Sequence, residues 1–316
     1  MRQSLIFRIV YLSFCMTFMI SMFIELLMQN RLIQDEHSLI PIVDNVVVLA
    51  HRGASEYGPE NTLAAFKRAL RMHVDYIELD VQKTKDGHLI VVHDKSLRRT
   101  TNAKKIFPQR SPWLVKDFNL DEIRHLDAGS WFNKAYKNKA RQDYKQQHIS
   151  TLGEVIQFMK RKGDGKAGLC IDIKAEQGIE KPLVNILREK GVLYKKNLII
   201  QSQSESSLRE FKKLAPDVKV VQLYSRHTLE GIDLKEELKR ISKYAYGIGP
   251  DKKMVIPQLI RIAHQNGLLV HPWTINEQND MSAVLSLGVD GVITNKPDRF
   301  NFSLDMIKCS KDPKCN

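Results

Sequence analysis

The sequence predicts an α/β fold, a TIM (β/α)8 barrel. Short apolar runs alternate with amphipathic helical patterns along most of the 316-residue chain. Such alternation is typical of a parallel sheet. Eight of the runs can serve as barrel strands, and eight strands within about 250 residues favour a closed barrel over an open sheet. The hydrophobic content of 43% is enough for a sizeable core.

The predicted elements follow in chain order. The eight barrel strands cover residues 46–50, 76–82, 168–173, 198–202, 218–223, 244–248, 268–272 and 289–294. The helical patterns between them cover residues 62–72, 151–162, 178–190, 204–214, 234–242, 255–266 and 277–287. Asn61 or Thr62 suits the N-cap of the first helix, because either side chain can accept a hydrogen bond from a free amide of the first turn.

A ninth apolar run, residues 89–93, does not belong to the barrel. Only the segment Thr84–Gly87 separates it from the second strand, whereas parallel neighbours need a crossover of about a dozen residues or more. The two runs must therefore form an antiparallel hairpin, and the Asp-Gly pair in the segment is a tight-turn signal. Two positions of the turn centre are open, and both return His93 to the neighbourhood of Glu78 and Asp80.

The chain divides into a barrel domain and flanking segments. Residues 1–28 are predicted to be a signal anchor or signal peptide, and residues 29–45 a linker. The barrel domain covers residues 46–303, with an insertion at about 95–148, and residues 304–316 form a C-terminal tail. The insertion has 13 Lys and Arg against 5 Asp and Glu, within a net charge of +13. The excess suits a phosphate-bearing substrate or an acidic membrane surface. No nucleic-acid motif accompanies the charge, so a solvated basic surface is the simplest interpretation and we expect no nucleic-acid partner.

The N-terminal segment predicts a location. Ile9–Ile24 is an uncharged apolar run of 16 residues, a length between a signal-peptide core and a full membrane span. No small-residue cleavage motif follows, which favours a retained anchor. Arg2 and Arg8 favour an orientation that exports everything after Glu25. We therefore expect a membrane-anchored or exported protein with its barrel domain on the extracytoplasmic side.

Export also affects how the cysteines are interpreted. An oxidising compartment would allow Cys309 and Cys315 to form a small terminal disulfide. Cys170 lies in a predicted strand, where a buried free thiol is expected. The spacing of the four cysteines does not match a zinc site.

Polar side chains gather at the predicted strand ends. They are His51, Arg52, Glu78, Asp80, His93, Asp172, Lys174 and Trp273, with Asp290 and Asn295 flanking the eighth strand. A TIM barrel has its active site at the carboxyl ends of its strands, so these side chains should meet at one mouth. Charged groups inside a barrel are costly unless they are paired or bound to metal.

The residue types indicate phosphodiester hydrolysis. Glu78, Asp80 and Asp172 are a hard-oxygen set suited to one divalent cation, Ca²⁺ or Mg²⁺. Arg52 and Lys174 can neutralise a phosphate, and the two histidines can act as general acid and base. Each feature alone has a structural explanation, such as a salt bridge from the Glu78 and Asp80 pair to Arg52. Convergence of five strand ends favours a site.

The same residues carry a family resemblance. Four motifs resemble the signature of glycerophosphodiester phosphodiesterases: Ala50–Gly53, Pro59–Thr62, Glu78–Val81 and Val92–Asp94. Similarity continues in order through Arg99–Thr101, Leu126–Phe132, Ile149–Leu152, Ile171–Lys174, Pro272–Asn276 and Gly288–Asn295. The resemblance implies a TIM barrel with the segment 95–148 as the family's insertion. It also implies cleavage of small-molecule glycerophosphodiesters to glycerol 3-phosphate and an alcohol.

The resemblance also implies residue roles. His51 and His93 resemble the acid–base pair, Glu78 and Asp80 the metal ligands, Arg52 and Lys174 the phosphate contacts, and Trp273 the substrate-side aromatic. Three positions depart from the family: Asp172 stands where Glu is usual, Gln203 where Phe is common, and Asn295 where Asp is found. Asp172 keeps the third carboxylate charge, one methylene shorter. We expect Asn295 to lie behind the groups that contact substrate.

Two other functions stay open. A phospholipase D-like enzyme acting on lysophospholipids or sphingomyelin would suit a membrane tether and a basic insertion. A catalytically silent, membrane-anchored binding module is less consistent with a complete set of histidines and carboxylates.

Overall fold

The structure, a computed structural model, describes residues 46–163, 165–174 and 178–311. Nine strands occur in these residues: β1 (Val47–Ala50), β2 (Tyr76–Lys83), β3 (Leu89–Val91), β4 (Gly168–Ile173), β5 (Leu198–Ser202), β6 (Lys219–Tyr224), β7 (Gly247–Pro250), β8 (Leu269–Val270) and β9 (Gly291–Thr294). Eight pair side by side in the order β8-β7-β6-β5-β4-β2-β1-β9, and every pair is parallel.

Backbone hydrogen bonds join the two ends of this sheet. Asp290 N donates to Val270 O and Ile293 N donates to Pro272 O, each at 3.0 Å. The predicted parallel barrel is thereby confirmed. The strand predicted at 244–248 begins three residues later, at Gly247, and ends at Pro250.

Eleven α-helices lie in the described residues: α1 (Leu63–Arg71), α2 (Ala103–Ile106), α3 (Leu120–Arg124), α4 (Ser130–Ala135), α5 (Leu152–Lys162), α6 (Glu180–Glu189), α7 (Glu205–Leu214), α8 (Leu234–Ile241), α9 (Pro257–Gln265), α10 (Gln278–Ser286) and α11 (Pro297–Lys311). The seven predicted helices match within two residues at each end. In α1 the buried Ala65, Phe66 and Ala69 lie on one face, which packs on the barrel. Thr62 is the N-cap and accepts a hydrogen bond from Ala65 N.

The hairpin forms as predicted, and His93 lies one residue away from the position opposite Glu78. β2 and β3 pair antiparallel, and Thr84 N donates to His88 O at 2.9 Å, which leaves a three-residue loop of residues 85–87 in which Gly87 has a φ of +85°. Such a glycine is typical of loops one residue longer than a two-residue turn. Val92 N donates to Asp80 O at 3.0 Å, so His93 lies level with the residue between Glu78 and Asp80. Its predicted proximity to both carboxylates holds.

The insertion has a hydrophobic core of its own. Its buried cluster is separate from that of the barrel and includes Leu97, Trp113, Phe118, Ile123 and Leu126. Its lysines, such as Lys104 and Lys105, are exposed. The basic surface predicted from the sequence therefore covers a packed subdomain.

Some of the predicted features lie partly or wholly outside the residues that the structure describes. Residues 1–45 and Cys315 lie outside the described residues. Cys309 is disulfide-bonded, and Cys170 is a buried free thiol as predicted. Among the residues described, none of the helices combines the length and the apolar character needed to cross a membrane.

Candidate active site

Three carboxylates lie together at the mouth of the barrel. Asp80 and Asp172 are neighbours because β2 and β4 pair with these two residues in register. Glu78 lies two residues before Asp80 and therefore shares its face of the strand. One oxygen of each group lies within 4.8 Å of the others, and the three residues are 1–3% exposed.

Confining three acids in this space disturbs their ionisation. Burial and then the neighbouring carboxylates raise the pKa of Glu78 well above its ordinary value. Burial raises the pKa of Asp172 to about 6 although Lys174 opposes it. Burial would also raise the pKa of Asp80, but Lys174 and Arg52 outweigh it and lower that pKa. The cluster is therefore short of positive charge, since each added negative charge disfavours ionisation of the others.

Two carboxylate oxygens of the cluster have unused bonding capacity. Asp80 Oδ1 and Asp172 Oδ1 are buried and accept no hydrogen bond from the described residues. A buried oxygen without a partner costs free energy. A divalent cation would bind these oxygens and balance the charge, and hard oxygen donors are the ligands that Ca²⁺ and Mg²⁺ prefer. Glu78, Asp80 and Asp172 thus fit a divalent metal ion.

Two cationic side chains flank the carboxylates. Arg52 Nε lies 3.3 Å from Asp80 Oδ2, and Arg52 N donates to Glu78 Oε2 at 2.8 Å. Lys174 Nζ lies 2.7 Å from Asp172 Oδ2 and 3.4 Å from Asp80 Oδ1. Both cations are partly exposed to the mouth, at 17% and 21% of the side chain, so an anionic ligand can reach them.

The backbone after β1 explains the glycine that follows Arg52. Arg52 and Gly53 have φ values of +54° and +82°, in the left-handed region that favours glycine. A Cβ at position 53 would lie 2.8 Å from the carbonyl carbon of Ala65 in α1. Only glycine fits this close approach, and the turn it permits directs the Arg52 amide to Glu78.

The two predicted histidines line the same cavity as the carboxylates. His51 Nδ1 lies 2.6 Å from Asn295 Oδ1. Because an amide oxygen only accepts, Nδ1 carries the proton and Nε2 keeps its lone pair. Burial and then Arg52 lower the pKa of His51 to about 4. His93 Nδ1 lies 2.6 Å from Asp94 Oδ1, so its partner is an anion.

An arginine from the insertion ties these groups together, and sequence reasoning assigned it no role. Arg99 donates to both oxygens of Asp94, at 2.6 and 3.0 Å, and to both oxygens of Glu60, at 2.7 Å each. Glu60 in turn accepts a hydrogen bond from Arg52 at 2.9 Å. A chain of charged hydrogen bonds therefore runs from His93 to Arg52, and we call Asp94, Arg99 and Glu60 the Arg99 clamp.

Two amides that sequence reasoning also missed orient the carboxylates. Asn61 Nδ2 donates to Asp80 Oδ2 at 2.7 Å, and Asp80 N donates back to Asn61 Oδ1 at 3.2 Å. Gln201 Nε2 donates to Glu78 Oε1 at 3.1 Å. The sequence offers Asn61 as an N-cap and as part of the Pro59–Thr62 motif, without a role in the site, and its φ of +57° is what turns it toward the carboxylates.

Trp273 forms another part of the cavity wall. Its Nε1 donates to Gly249 O at 2.7 Å, and its ring lines the cavity beside Leu223 and Ile293. All eight predicted site residues therefore come together. Asp290 does not join them, because it precedes β9 at the opposite end of the barrel, where it lies 2.8 Å from His264 Nε2.

Comparison with known proteins assigns the family. Residues 51–299 match the model of the glycerophosphoryl diester phosphodiesterase family. The chain belongs to this family. A glycerophosphodiester phosphodiesterase of Bacillus subtilis is 40% identical over 265 residues, covering 82% of this chain and 86% of the relative. One of Caldanaerobacter subterraneus is 38% identical, covering 80% and 95%.

Solved structures agree with this membership. A phosphodiesterase of Oleispira antarctica, in complex with the product sn-glycerol-3-phosphate, matches with a TM-score of 0.69 and 26% identity over 85% of this chain and 99% of that chain. A glycerophosphodiester phosphodiesterase of Agrobacterium tumefaciens matches with a TM-score of 0.64 and 25% identity over 81% and 98%. The chain is accordingly a phosphoric diester hydrolase, as the resemblance of its motifs implies.

The three departures from the family's usual residues now have positions. The shorter Asp172 still reaches the carboxylate cluster. Asn295 lies behind His51, as expected, and holds its ring. Gln203 is exposed at the edge of the cavity.

Proposed function

We propose that this enzyme hydrolyses glycerophosphodiesters to glycerol 3-phosphate and an alcohol with the help of one divalent cation, Ca²⁺ or Mg²⁺. The observation that supports it is the carboxylate cluster, in which two buried oxygens accept no hydrogen bond from the described residues, together with the two cations and two histidines around it. The Oleispira antarctica relative, solved with sn-glycerol-3-phosphate, supports the same product class.

The residues divide the work as follows. A cation held by Glu78, Asp80 and Asp172 would polarise the phosphoryl group. Arg52 and Lys174 bind the phosphate oxygens and offset their charge. Trp273 packs against the glycerol moiety.

The two histidines carry the proton transfers in this proposal. Asn295 fixes the proton of His51 on Nδ1, so Nε2 is unprotonated. His51 Nε2 acts as the general base that accepts a proton from the attacking water. His93 acts as the general acid for the leaving alcohol, since Asp94 stabilises a positive charge on its ring. Each step needs a positioned group within hydrogen-bond reach of the proton that moves.

A substrate panel with metal control tests the proposal. Glycerophosphodiesters, lysophosphatidylcholine and sphingomyelin are offered to the purified protein, and released glycerol 3-phosphate or headgroup is measured. We expect glycerol 3-phosphate from the diesters, loss of activity in chelator, and recovery with Ca²⁺ or Mg²⁺. Asp80→Asn should abolish turnover, whereas Asp217→Asn, a matched change at an exposed loop residue, should not.

The other outcomes have clear meanings. Preference for lysophosphatidylcholine or sphingomyelin would favour the phospholipase D-like alternative. Full activity in chelator would contradict the metal. No turnover of any substrate would favour a silent binding module.

We also propose that residues 1–28 hold the enzyme at a membrane, with the barrel outside the cytoplasm. The support is the apolar run with its two preceding arginines. Protease treatment of intact cells should degrade the barrel domain, and its protection would contradict the proposal.

A further inference from the structure

A polar cleft opens beside the carboxylate cluster. The ends of β2, β4 and β5 line it with Gln82, Lys174, Ser202, Gln203 and Ser204, and the segment after β3 lines it with His93, Asp94 and Lys95. Ile173 is the one apolar residue among its described lining. The cleft shares His93, Asp172, Lys174 and Gln203 with the cavity that holds the carboxylates, so the two spaces are continuous.

The cavity wall away from this cleft has a different chemistry. Leu223, Trp273 and Ile293 line it and present apolar and aromatic surface. A phosphodiester whose phosphorus lies at the carboxylates has one substituent on each side. The two substituents therefore meet unlike surroundings, one apolar and aromatic, the other polar.

Gln203 lies where these two spaces meet. It is exposed, and its side-chain amide makes no hydrogen bond to any described residue, although its backbone oxygen accepts one from Gln222. The amide can thus give two donors and an acceptor to a ligand. Ser202, in contrast, is already engaged, because its hydroxyl donates to Ile173 O and accepts from Ser204 N.

We propose that the polar cleft binds the alcohol half of the diester and selects a small hydroxylated alcohol, with glycerol as the simplest example. This inference rests on the proposed function. Quaternary ammonium groups are recognised by aromatic faces, and acyl chains need an apolar groove. The described lining of the cleft offers neither, whereas hydroxyl groups can pair with Gln203 and its polar neighbours.

Competition between two soluble diesters tests the inference. Glycerophosphoglycerol and glycerophosphocholine differ only in the alcohol, and both yield glycerol 3-phosphate. We expect kcat/KM for glycerophosphoglycerol to exceed that for glycerophosphocholine by about tenfold or more, the size of effect that hydrogen-bonding sites produce. Gln203→Phe and Gln203→Ala should remove most of that ratio. Gln265→Phe, the same change at an exposed residue of α9, should leave it unchanged.

The outcomes separate the inference from the function on which it rests. Hydrolysis of both diesters with equal kcat/KM, or with a preference for the choline ester, would overturn the cleft assignment and leave the proposed function intact. A tenfold ratio that survives both Gln203 variants would also overturn it. If neither diester were hydrolysed, the proposed function and this inference would fail together.

Discussion

The two histidines of the site are held by similar geometry and different chemistry. Each Nδ1 lies 2.6 Å from a side-chain oxygen, but the oxygen belongs to a neutral amide at His51 and to a carboxylate at His93. His51 directly follows β1 and Asn295 directly follows β9, so both lie at the mouth of the barrel. His93 and Asp94 follow the hairpin, and Arg99 of the insertion holds them.

The difference fits the two tasks that we propose for these rings. A neutral partner fixes the tautomer of His51 without stabilising its charged form, which suits a group that must accept a proton. At His93 the partner is an anion that holds the ring through Nδ1, which fits the general acid that we propose there. Pairs of titratable groups in contrasting environments are how one site provides both an acid and a base.

The largest expected effect comes from removing either ring. His51→Gln and His93→Gln should each lower kcat/KM by about 10²–10⁴, the usual contribution of a general acid or base. The p-nitrophenyl ester of glycerol phosphate releases p-nitrophenolate, a leaving group that needs no proton. This substrate should therefore restore turnover to the His93 variant and not to the His51 variant. Rescue of the His51 variant alone would reverse our assignment.

Exposed His125 provides the control for both variants. Because it lies in the insertion and contacts no site residue in the described structure, His125→Gln should leave kcat/KM unchanged for both substrates. Metal content measured on each variant shows that the carboxylate cluster remains intact.

The next effect should come from the Arg99 clamp, which holds the hydrogen-bond partner of His93 and not that of His51. Arg99→Ala leaves Asp94 and Glu60 without their shared cation, and we expect kcat/KM to fall by about 10–100-fold, as when groups that orient a site are removed. Arg99→Lys should recover only part of this loss, since lysine lacks the planar fork. Arg98→Ala, at the exposed neighbouring residue, is the control. Equal losses at positions 98 and 99 would contradict a clamp.

Strand alternation made the barrel and the carboxylates predictable. Glu78 and Asp80 are two residues apart on one strand, and a period of two places them on the same face in any register. Parallel strand ends meet at one rim, so His51 and Asp172 could be placed near them. These deductions depend on regular structure alone.

Loop geometry put the other contacts beyond sequence reasoning. Asn61 reaches Asp80 through left-handed backbone at a φ of +57°, and no periodic pattern encodes such a turn. Arg99 and Glu60 are 39 residues apart in the sequence, and only the fold of the insertion brings them into contact. The exact hairpin register stayed open in the sequence for a similar reason, because an Asp-Gly pair fits loops of more than one length.

A smaller effect should follow from giving both histidines an anionic hydrogen-bond partner. Asn295→Asp places an anion beside His51, which favours the charged ring and raises the pKa of His51. Since the base must be neutral, the acid limb of the kcat/KM profile should move to higher pH, by about one unit. Asn295→Ala should lower activity without that shift, because it removes the hydrogen bond and adds no charge. An acid limb at the same pH in wild type and Asn295→Asp would contradict His51 as the base.

The smallest effect concerns a third histidine, far from the mouth. His264 Nε2 lies 2.8 Å from Asp290 Oδ2, and this hydrogen bond raises the pKa of His264 despite its partial burial. The stabilisation is fully present below the unfolded-state pKa, about 6.5, and is lost as pH rises through the folded-state pKa. The His264 side chain is 37% exposed, so solvent screening keeps the effect small.

Thermal unfolding across a pH series measures this contribution. His264→Gln should lower the Tm by about 1–2 °C near pH 5.5 and by less near pH 8.5, while kcat/KM stays at the wild-type value. A Tm difference that is independent of pH would mean that packing, and not charge, is what His264 contributes. Loss of activity in His264→Gln would mean that a histidine–carboxylate pair at the opposite end of the barrel also affects catalysis. The effects of His51 and His93 could then no longer be attributed to their position at the mouth.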